Sequence, residues 1–302
     1  MELHQLKTFQ AIASLGSFSQ AAEALGYAQS TVSEHIKNLE TELQTRLFKR
    51  AGSRQVALTH AGEMLLKYAQ KMLNLEVEIK TEVNEQTEAQ GTLSIRIPET
   101  FSIHYLPPVL KRFHQRYSKV NFGFMNCVYF DLPEELKAGI VDLGFLITDT
   151  FQMADLATES LRAIPLVMIT YPTHPLAAGS DVDISRLKEE PLIVPANDCS
   201  YVRMLERVLA EQKVELPLVW RFNSIAAIKQ VVMSGTGVSV LPEIVVKSEI
   251  AAGTLAALPW HDGLMMANLL MIWQENKWLP PILQTFMQMI REDLAVNPAR
   301  TE

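Results

Sequence analysis

Apolar residues recur at helical spacing through the N-terminal third of the chain and fall into short runs after it. Leu3, Leu6, Phe9, Ile12 and Ala13 predict a first helix over residues 2–14. Ser17 stands three residues before Gln20, the spacing of a capping box, and starts a second helix. Ala21, Ala22 and Leu25 give that helix a small-residue inner face, and Gly26 supplies the left-handed residue that ends it. A third helix begins near Gln29, with Val32, Ile36, Leu39 and Leu43 on its apolar side. Gln29, Ser30, Thr31, Ser33, Glu34 and Lys37 are left pointing outward near its start.

From Thr59 a long helix runs to about Ala89. Along it Ala61, Leu65, Tyr68, Met72, Leu75 and Ile79 step by four and three, which makes a heptad seam. The seam either lies on its own domain or pairs with a second chain. Pairing is favoured because no other long helix offers it a partner. The polar stretch 86–92 ends the helix. The pattern then changes to short apolar strands at 93–97, 120–127, 143–147, 166–170, 192–194, 218–222, 238–241 and 267–272. Helices lie between them, among them 107–117, 199–211 and 224–233. Such alternation predicts an α/β domain with mainly parallel sheets.

Residues 47–62 read LFKRAGSRQVALTHAG. Lys49, Arg50 and Arg54 stand there with no acid among them, followed by the alternating Val56-Ala57-Leu58 and the helix cap Thr59. This predicts a wing, a short hairpin whose tip lies against a phosphate backbone. Small residues let the second helix be crossed closely by the third, whose polar first turns can then enter a DNA major groove. The helix pair alone could also be a hairpin in an unrelated core; the basic run beside it favours DNA.

The segments SFSQAAEALGYAQSTVSEHIKNLE, LFKR and LTHAGEMLL are similar throughout to the N-terminal domain of LysR-type transcriptional regulators, and GTGVSVLP at 235–242 resembles a piece of their effector-binding domain. The resemblance covers essentially the whole chain. It implies a winged helix-turn-helix domain over 1–58, a dimerisation linker helix over 59–89 and an effector-binding domain over 90–302. The last would be an α/β, periplasmic-binding-protein-like domain of two Rossmann-like subdomains, 92–161 with 267–302 and 162–266. The implied partners are double-stranded promoter DNA, a small-molecule effector, RNA polymerase and the chain itself, as a homodimer or homotetramer. The candidate DNA contacts are Ser17, Gln29, Ser30, Thr31, Ser33, Glu34, Lys37, Arg50 and Arg54, and the candidate dimer contacts are Leu65, Tyr68, Met72, Leu75 and Ile79. Two positions depart from the commoner pattern: Ala28, where a capping Ser or Thr is frequent, and Glu34, where a basic residue is frequent. The first weakens the cap of the third helix. The second changes base preference, since a Glu accepts from cytosine N4 but repels phosphate.

The net charge of −7 is not that of a nucleic-acid binder, but its distribution is uneven. Arg46, Lys49, Arg50 and Arg54 cluster beside the third helix, while Glu76, Glu78, Glu82, Glu85 and Glu88 lie away from it. With 302 residues and 48% apolar content the chain can build two or three cored domains. Its N-terminus reads as a polar amphipathic helix rather than a signal peptide, and no apolar run is long enough for a membrane span, so a cytoplasmic protein is expected. The two cysteines, Cys127 and Cys199, make no disulfide framework, and the seven histidines show no metal spacing. No cofactor is expected.

Ligands of open α/β sheets bind at the carboxyl ends of strands, against helix N-termini. That rule marks the stretches 99–102, 148–149 and 197–203, with 222–224 completing a wall. The candidate effector residues are Thr100, Phe101, Ser102, Thr148, Cys199, Ser200, Arg203 and Phe222. Arg203 offers a fork for an anion, so a small carboxylate is the expected effector. The hydroxyls could equally be plain helix caps and Arg203 a surface cation. Cys199 reads as a pocket-lining residue rather than a redox switch, because no resolving cysteine follows it. No catalytic set stands out, and the Gly235-Thr236-Gly237 turn is too short for a dinucleotide fingerprint. The rival reading is a solute-binding protein or small α/β enzyme with an unrelated helical N-terminus.

Overall fold

The computed structural model describes residues 1–49, 56–83, 91–179, 184–196, 200–211, 213–214, 218–258 and 265–296. The chain divides into two units, Met1–Gly91 with Ala138–Ile140, and Thr92–Lys137 with Val141–Glu302.

The first unit holds α1 (Leu3–Leu15), α2 (Phe18–Leu25), α3 (Gln29–Glu42) and α4 (His60–Val83). Leu6, Phe9 and Ile12 of α1 meet Ala21 and Ala22 of α2, Val32, Ile36 and Leu39 of α3, and Ala69 and Leu73 of α4 in one core. Phe48, after α3, packs its ring on Phe9 and edge-on to Phe18. Leu3 and Leu43 stand at helix ends beyond the reach of this core and are exposed, contrary to their spacing. Gly26 ends α2 at φ 68°, and this left-handed residue lets the chain turn into α3 within two further residues. Thr59 caps α4: its hydroxyl accepts the Gly62 N–H (3.1 Å) and donates to the Arg46 carbonyl (2.6 Å).

The second unit holds β1 (Gly91–Ile97), α5 (Glu99–His104), α6 (Leu106–Arg116), β2 (Val120–Asn126), α7 (Leu132–Lys137), β3 (Leu143–Thr148) and β4 (Leu156–Thr170). It continues through β5 (Leu192–Pro195), α8 (Ser200–Glu211), β6 (Val219–Phe222), α9 (Ile225–Met233), β7 (Ser239–Pro242), α10 (Lys247–Ala251), β8 (Ala256–Leu258), β9 (Met265–Gln274) and α11 (Pro281–Val296). The strand order in the large sheet is β2-β1-β3-β9-β4-β7, with β8 also on β4, while β5 and β6 form a separate parallel pair.

The sheet is mixed rather than mainly parallel. β1 runs parallel to β3, but β9 inserts between β3 and β4 and opposes both. Residues 149–155, between β3 and β4, are too few for a crossover helix, which takes a dozen or more. β4 also begins ten residues earlier than its apolar run, at Leu156 rather than Leu166. Thr158, Glu159, Ser160 and Arg162 hide that first part, and a bulge between Ser160 and Arg162 breaks its alternation. No helix of the described residues is long and apolar enough to cross a membrane.

The Gly-Thr-Gly turn has a packing reason. Gly237 sits at φ 63°, and a Cβ there would be driven into the Pro191 carbonyl. That carbonyl accepts the Val238 N–H (3.0 Å), and Val238 in turn accepts from Ile193 (2.9 Å), which ties β5 to the start of β7. The Gly237 carbonyl takes the buried Thr170 hydroxyl at 2.9 Å. Gly237→Ala should therefore destabilise the chain by about 1–3 kcal/mol, a fall of several degrees in Tm. Gly253→Ala, at φ 70° with open space around its Cβ, should lose less. Equal losses in thermal unfolding would show that backbone strain alone, and not the Pro191 approach, sets the requirement.

Candidate functional site

Two surfaces carry chemistry. The first is the outer face of α3. Its buried Val32, Ile36 and Leu39 fix the helix to the core, so Gln29, Ser30, Ser33, Glu34 and Lys37 stand exposed and Thr31 half-buried. Ser17 caps α2 by accepting the Gln20 N–H at 3.3 Å, which leaves its hydroxyl hydrogen free to face outward. Ala28 occupies the N-cap of α3 in an extended conformation and gives no side-chain cap bond. At the other end, Glu40 closes the turn: one carboxylate oxygen accepts the Leu47 N–H and the other Arg46, both at 2.8 Å.

His35, on the inner side of α3, has its Nδ1 2.9 Å from the buried Thr8 hydroxyl and its ring 4.6 Å from that of His4. The Thr8 hydroxyl spends its hydrogen on the His4 carbonyl (2.9 Å), so His35 Nδ1 is the donor. Burial, then His4, push the His35 pKa down against the pull of Glu34, so this ring adds no charge to the α3 face at neutral pH. The base of the expected wing is present: Phe48 bridges Leu58 antiparallel, and Lys49 N–H donates to the Ala57 carbonyl at 2.8 Å. Arg50 and Arg54 lie outside the described residues.

α4 presents a second feature of the same unit. Leu65 and Leu66 pack against the core, while Met64, Tyr68, Met72, Leu75 and Ile79 are 38–56% exposed along one side. At the start of the expected seam Leu65 is half-buried and packs toward the core with Ala69 and Leu73, while Met64 stands exposed in line with Tyr68. The reason is that 3.6 residues per turn carries a residue three or four places before Tyr68 to neighbouring but different faces.

The second surface is a cavity in the other unit. It lies at the carboxyl ends of β1, β2, β3, β5 and β6 and is bounded by the first turns of α5, α8 and α9. Its empty space is about 580 Å³ with the open mouth included. Thr100, Ser200 and Phe222 line it as expected from the sequence, together with Asn223 and Ser224. Glu99, Asn126, Cys127 and Ile225 line it too. The strand-exit rule could have found Asn126 and Cys127, the last residue of β2 and the one after it. Ser200 donates to the Ile147 carbonyl (2.7 Å), and the Ile225 N–H donates to Glu99 Oε2 (3.2 Å).

The remaining expected residues are placed elsewhere. Phe101 is buried in the core, stacked on Phe145 with ring centres 4.4 Å apart. Ser102 donates back to the Glu99 carbonyl at 2.8 Å. Thr148 is buried and turned toward Asp149 and the Thr150 carbonyl. Arg203 lies over the rings of Phe130 and Tyr129, 4.3 and 5.0 Å from their centres. Cys199 lies outside the described residues. The expectation of an anionic effector rested on Arg203 together with Thr100, Ser102 and Ser200 at helix starts; Thr100 and Ser200 line the cavity, and Arg203 and Ser102 do not. Beside the cavity, burial raises the Asp149 pKa, but its ion pair with Arg207, the Thr150 N–H and the Thr148 hydroxyl outweigh that and hold it below the usual value. Among the described residues, no cluster of His, Cys, Asp or Glu could hold a metal ion.

Two family models cover most of the chain: "Bacterial regulatory helix-turn-helix protein, lysR family" matches residues 3–63, and "LysR substrate binding domain" matches residues 86–295. The chain belongs to the LysR family of transcriptional regulators. Among curated relatives it is 37% identical to the uncharacterized HTH-type transcriptional regulator YwqM of Bacillus subtilis, over 97% of this chain and 99% of that one. It is 28% identical to the regulator GltR of the same organism, over 98% of each. Among solved structures, a full-length OxyR variant from Pseudomonas aeruginosa superposes with a TM-score of 0.72 at 23% identity, covering 97% of each chain. CbnR, a LysR family transcriptional regulator, superposes at 0.65 with 21% identity, over 97% of this chain and 99% of that one. These structural likenesses bear on the fold. A LysR regulator reads DNA through its helix-turn-helix, which makes the missing cap at Ala28 a testable feature. Ala28→Ser should stabilise α3 by about 0.5–2 kcal/mol and slow hydrogen exchange at the Ser30 and Thr31 amides, the groups a capping hydroxyl reaches. Unchanged exchange there would mean that the cap does not form.

Proposed function

We propose that this LysR-family regulator binds promoter DNA sequence-specifically as a homodimer or larger homo-oligomer, and that a small molecule in the cavity of its second unit controls it. The observation that carries the reading is the α3 face: Gln29, Ser30, Ser33, Glu34 and Lys37 stand exposed on a helix pinned by Val32, Ile36 and Leu39. Gln and Ser side chains at the first turns of a groove-entering helix read base edges, while Lys37 and the wing cations Arg50 and Arg54 neutralise phosphate. A solved full-length CbnR complexed with its target DNA, to which this chain is similar with a TM-score of 0.65, supports DNA as the partner. The exposed stripe on α4 supports self-association, because an apolar row of that length is normally covered. The cavity's position at strand ends, with hydroxyls from Thr100, Ser200 and Ser224 around an apolar floor, supports its use by an effector.

Gln29→Ala or Ser33→Ala should cost about 1–3 kcal/mol at the operator and little on random DNA. Fluorescence anisotropy on both duplexes over a salt series checks this, and equal losses would put the bases against another face. Tyr68→Glu combined with Leu75→Glu should give monomers in sedimentation velocity and abolish operator binding, since one half-site alone lacks the dimer's affinity. Dimers that persist in this variant would rule out the α4 stripe as the pairing surface.

A further inference from the structure

We infer that the cavity selects a small organic cation, an amine on an apolar body, and that Glu99 receives its charged end. The inference rests on the reading of this cavity as the effector site. Among the described residues the wall carries one carboxyl group, Glu99, and no Lys, Arg or His. Glu99 Oε2 accepts the Ile225 N–H at 3.2 Å. Ile225 is the first residue of α9, and its N–H belongs to the group at a helix start that would otherwise receive an anion. The chain's own carboxylate already occupies that place. An incoming carboxylate would have to displace Glu99 and then stand beside it, like charge against like. An ammonium group meets the reverse situation. A carboxylate offers about four lone-pair positions, and Ile225 engages one of them. The others can accept from an ammonium while the bond to Ile225 stays in place. Thr100 and Ser224 can accept a further ammonium hydrogen, and Ile97 and Phe222 offer apolar wall to the body of the ligand. A cavity of about 580 Å³, its open mouth included, has room for a small amine.

Cys127 on the cavity wall provides the test. In the full chain with Cys199→Ser it is the remaining thiol, since the sequence has 2 cysteines. Two thiol reagents of opposite charge are compared, 2-(trimethylammonium)ethyl methanethiosulfonate and 2-sulfonatoethyl methanethiosulfonate. Each leaves its alkylthio group on the Cys127 thiolate as a mixed disulfide and releases methanesulfinate. Each rate is divided by that of the same reagent with a free small thiol. The cationic reagent should then be favoured by about tenfold at low salt, as expected for one nearby unit charge, and the preference should shrink as salt rises. Glu99→Gln should remove most of it. At equal concentration, n-butylammonium should protect Cys127 and n-butyrate should not.

An anionic reagent that reacts as fast or faster overturns the inference, as does a preference unchanged in Glu99→Gln or protection by n-butyrate instead. The effector-site reading survives those results. If neither reagent labels Cys127 in the native chain while both label it in urea, solvent does not reach the cavity, and the effector-site reading falls as well. Should Glu99→Gln fail to fold, the salt dependence and the protection by the two probes decide the matter in the chain with Glu99 intact.

Discussion

The antiparallel ladder between β4 and β9 is the constraint on which the second unit depends. Residues Leu156 to Leu166 pair with Gln274 to Met265 in one row, broken once by the bulge between Ser160 and Arg162. Along the middle of that row Asn268 to Ile272 of β9 also pair with β3, which brings β1 with it; from Leu166 onward β4 pairs with β7 and β8. The cavity walls come from both groups: Thr100, Asn126 and Ile147 lie at or just after the ends of strands tied to β9, and Ser200, Phe222 and Ile225 lie at or just after the ends of the smaller pair, which hydrogen bonds beside Gly237 tie to β7. The ladder therefore holds two sets of strand ends against each other. Ser200 to Ile147, Ile225 to Glu99 and Arg207 to Asp149 are among the hydrogen bonds that join them across the gap.

The two units solve different problems with the same economy of polar groups. In the first, one face of α3 is fixed by three buried aliphatic residues and the other is left polar, which separates stability from recognition. In the second, several polar side chains at the cavity are engaged with backbone: Ser200 with the Ile147 carbonyl, Glu99 with the Ile225 N–H, and Ser224 with the Ala227 N–H at 3.5 Å. Side chains that cap helices and side chains that could meet a ligand are thus the same ones, and burial alone does not tell them apart.

Much of this was legible in the sequence where the signal is local. Ser17, Gly26 and the 3.6-residue stripe of Val32, Ile36 and Leu39 act over a few residues, and each stands where its spacing puts it. Thr100, Ser200 and Phe222 could be found because a strand end followed by a helix is also a local pattern. The rest depends on partners far along the chain. Glu99 reads as an ordinary acid in the first turn of a short helix, and its partner Ile225 lies 126 residues away. Arg203 lies on a helix that starts at the cavity, yet its direction is set by Tyr129 and Phe130, aromatic residues that follow β2. β9 returns from the end of the chain to part β3 from β4, and nothing in either strand announces it.

The bulge in β4 gives the ladder an uneven mechanical character. Two neighbouring strands in one hydrogen-bonded row resist sliding along their axis, because any slip of register breaks the whole row at once. Twisting is cheaper, and it is cheapest where an extra residue already interrupts the pairing, between Ser160 and Arg162. The sheet is therefore stiff in shear and compliant in torsion at one defined point. A bend at that point would turn a short displacement of one segment into an angle, and its reach at any residue would grow with that residue's distance from the bulge.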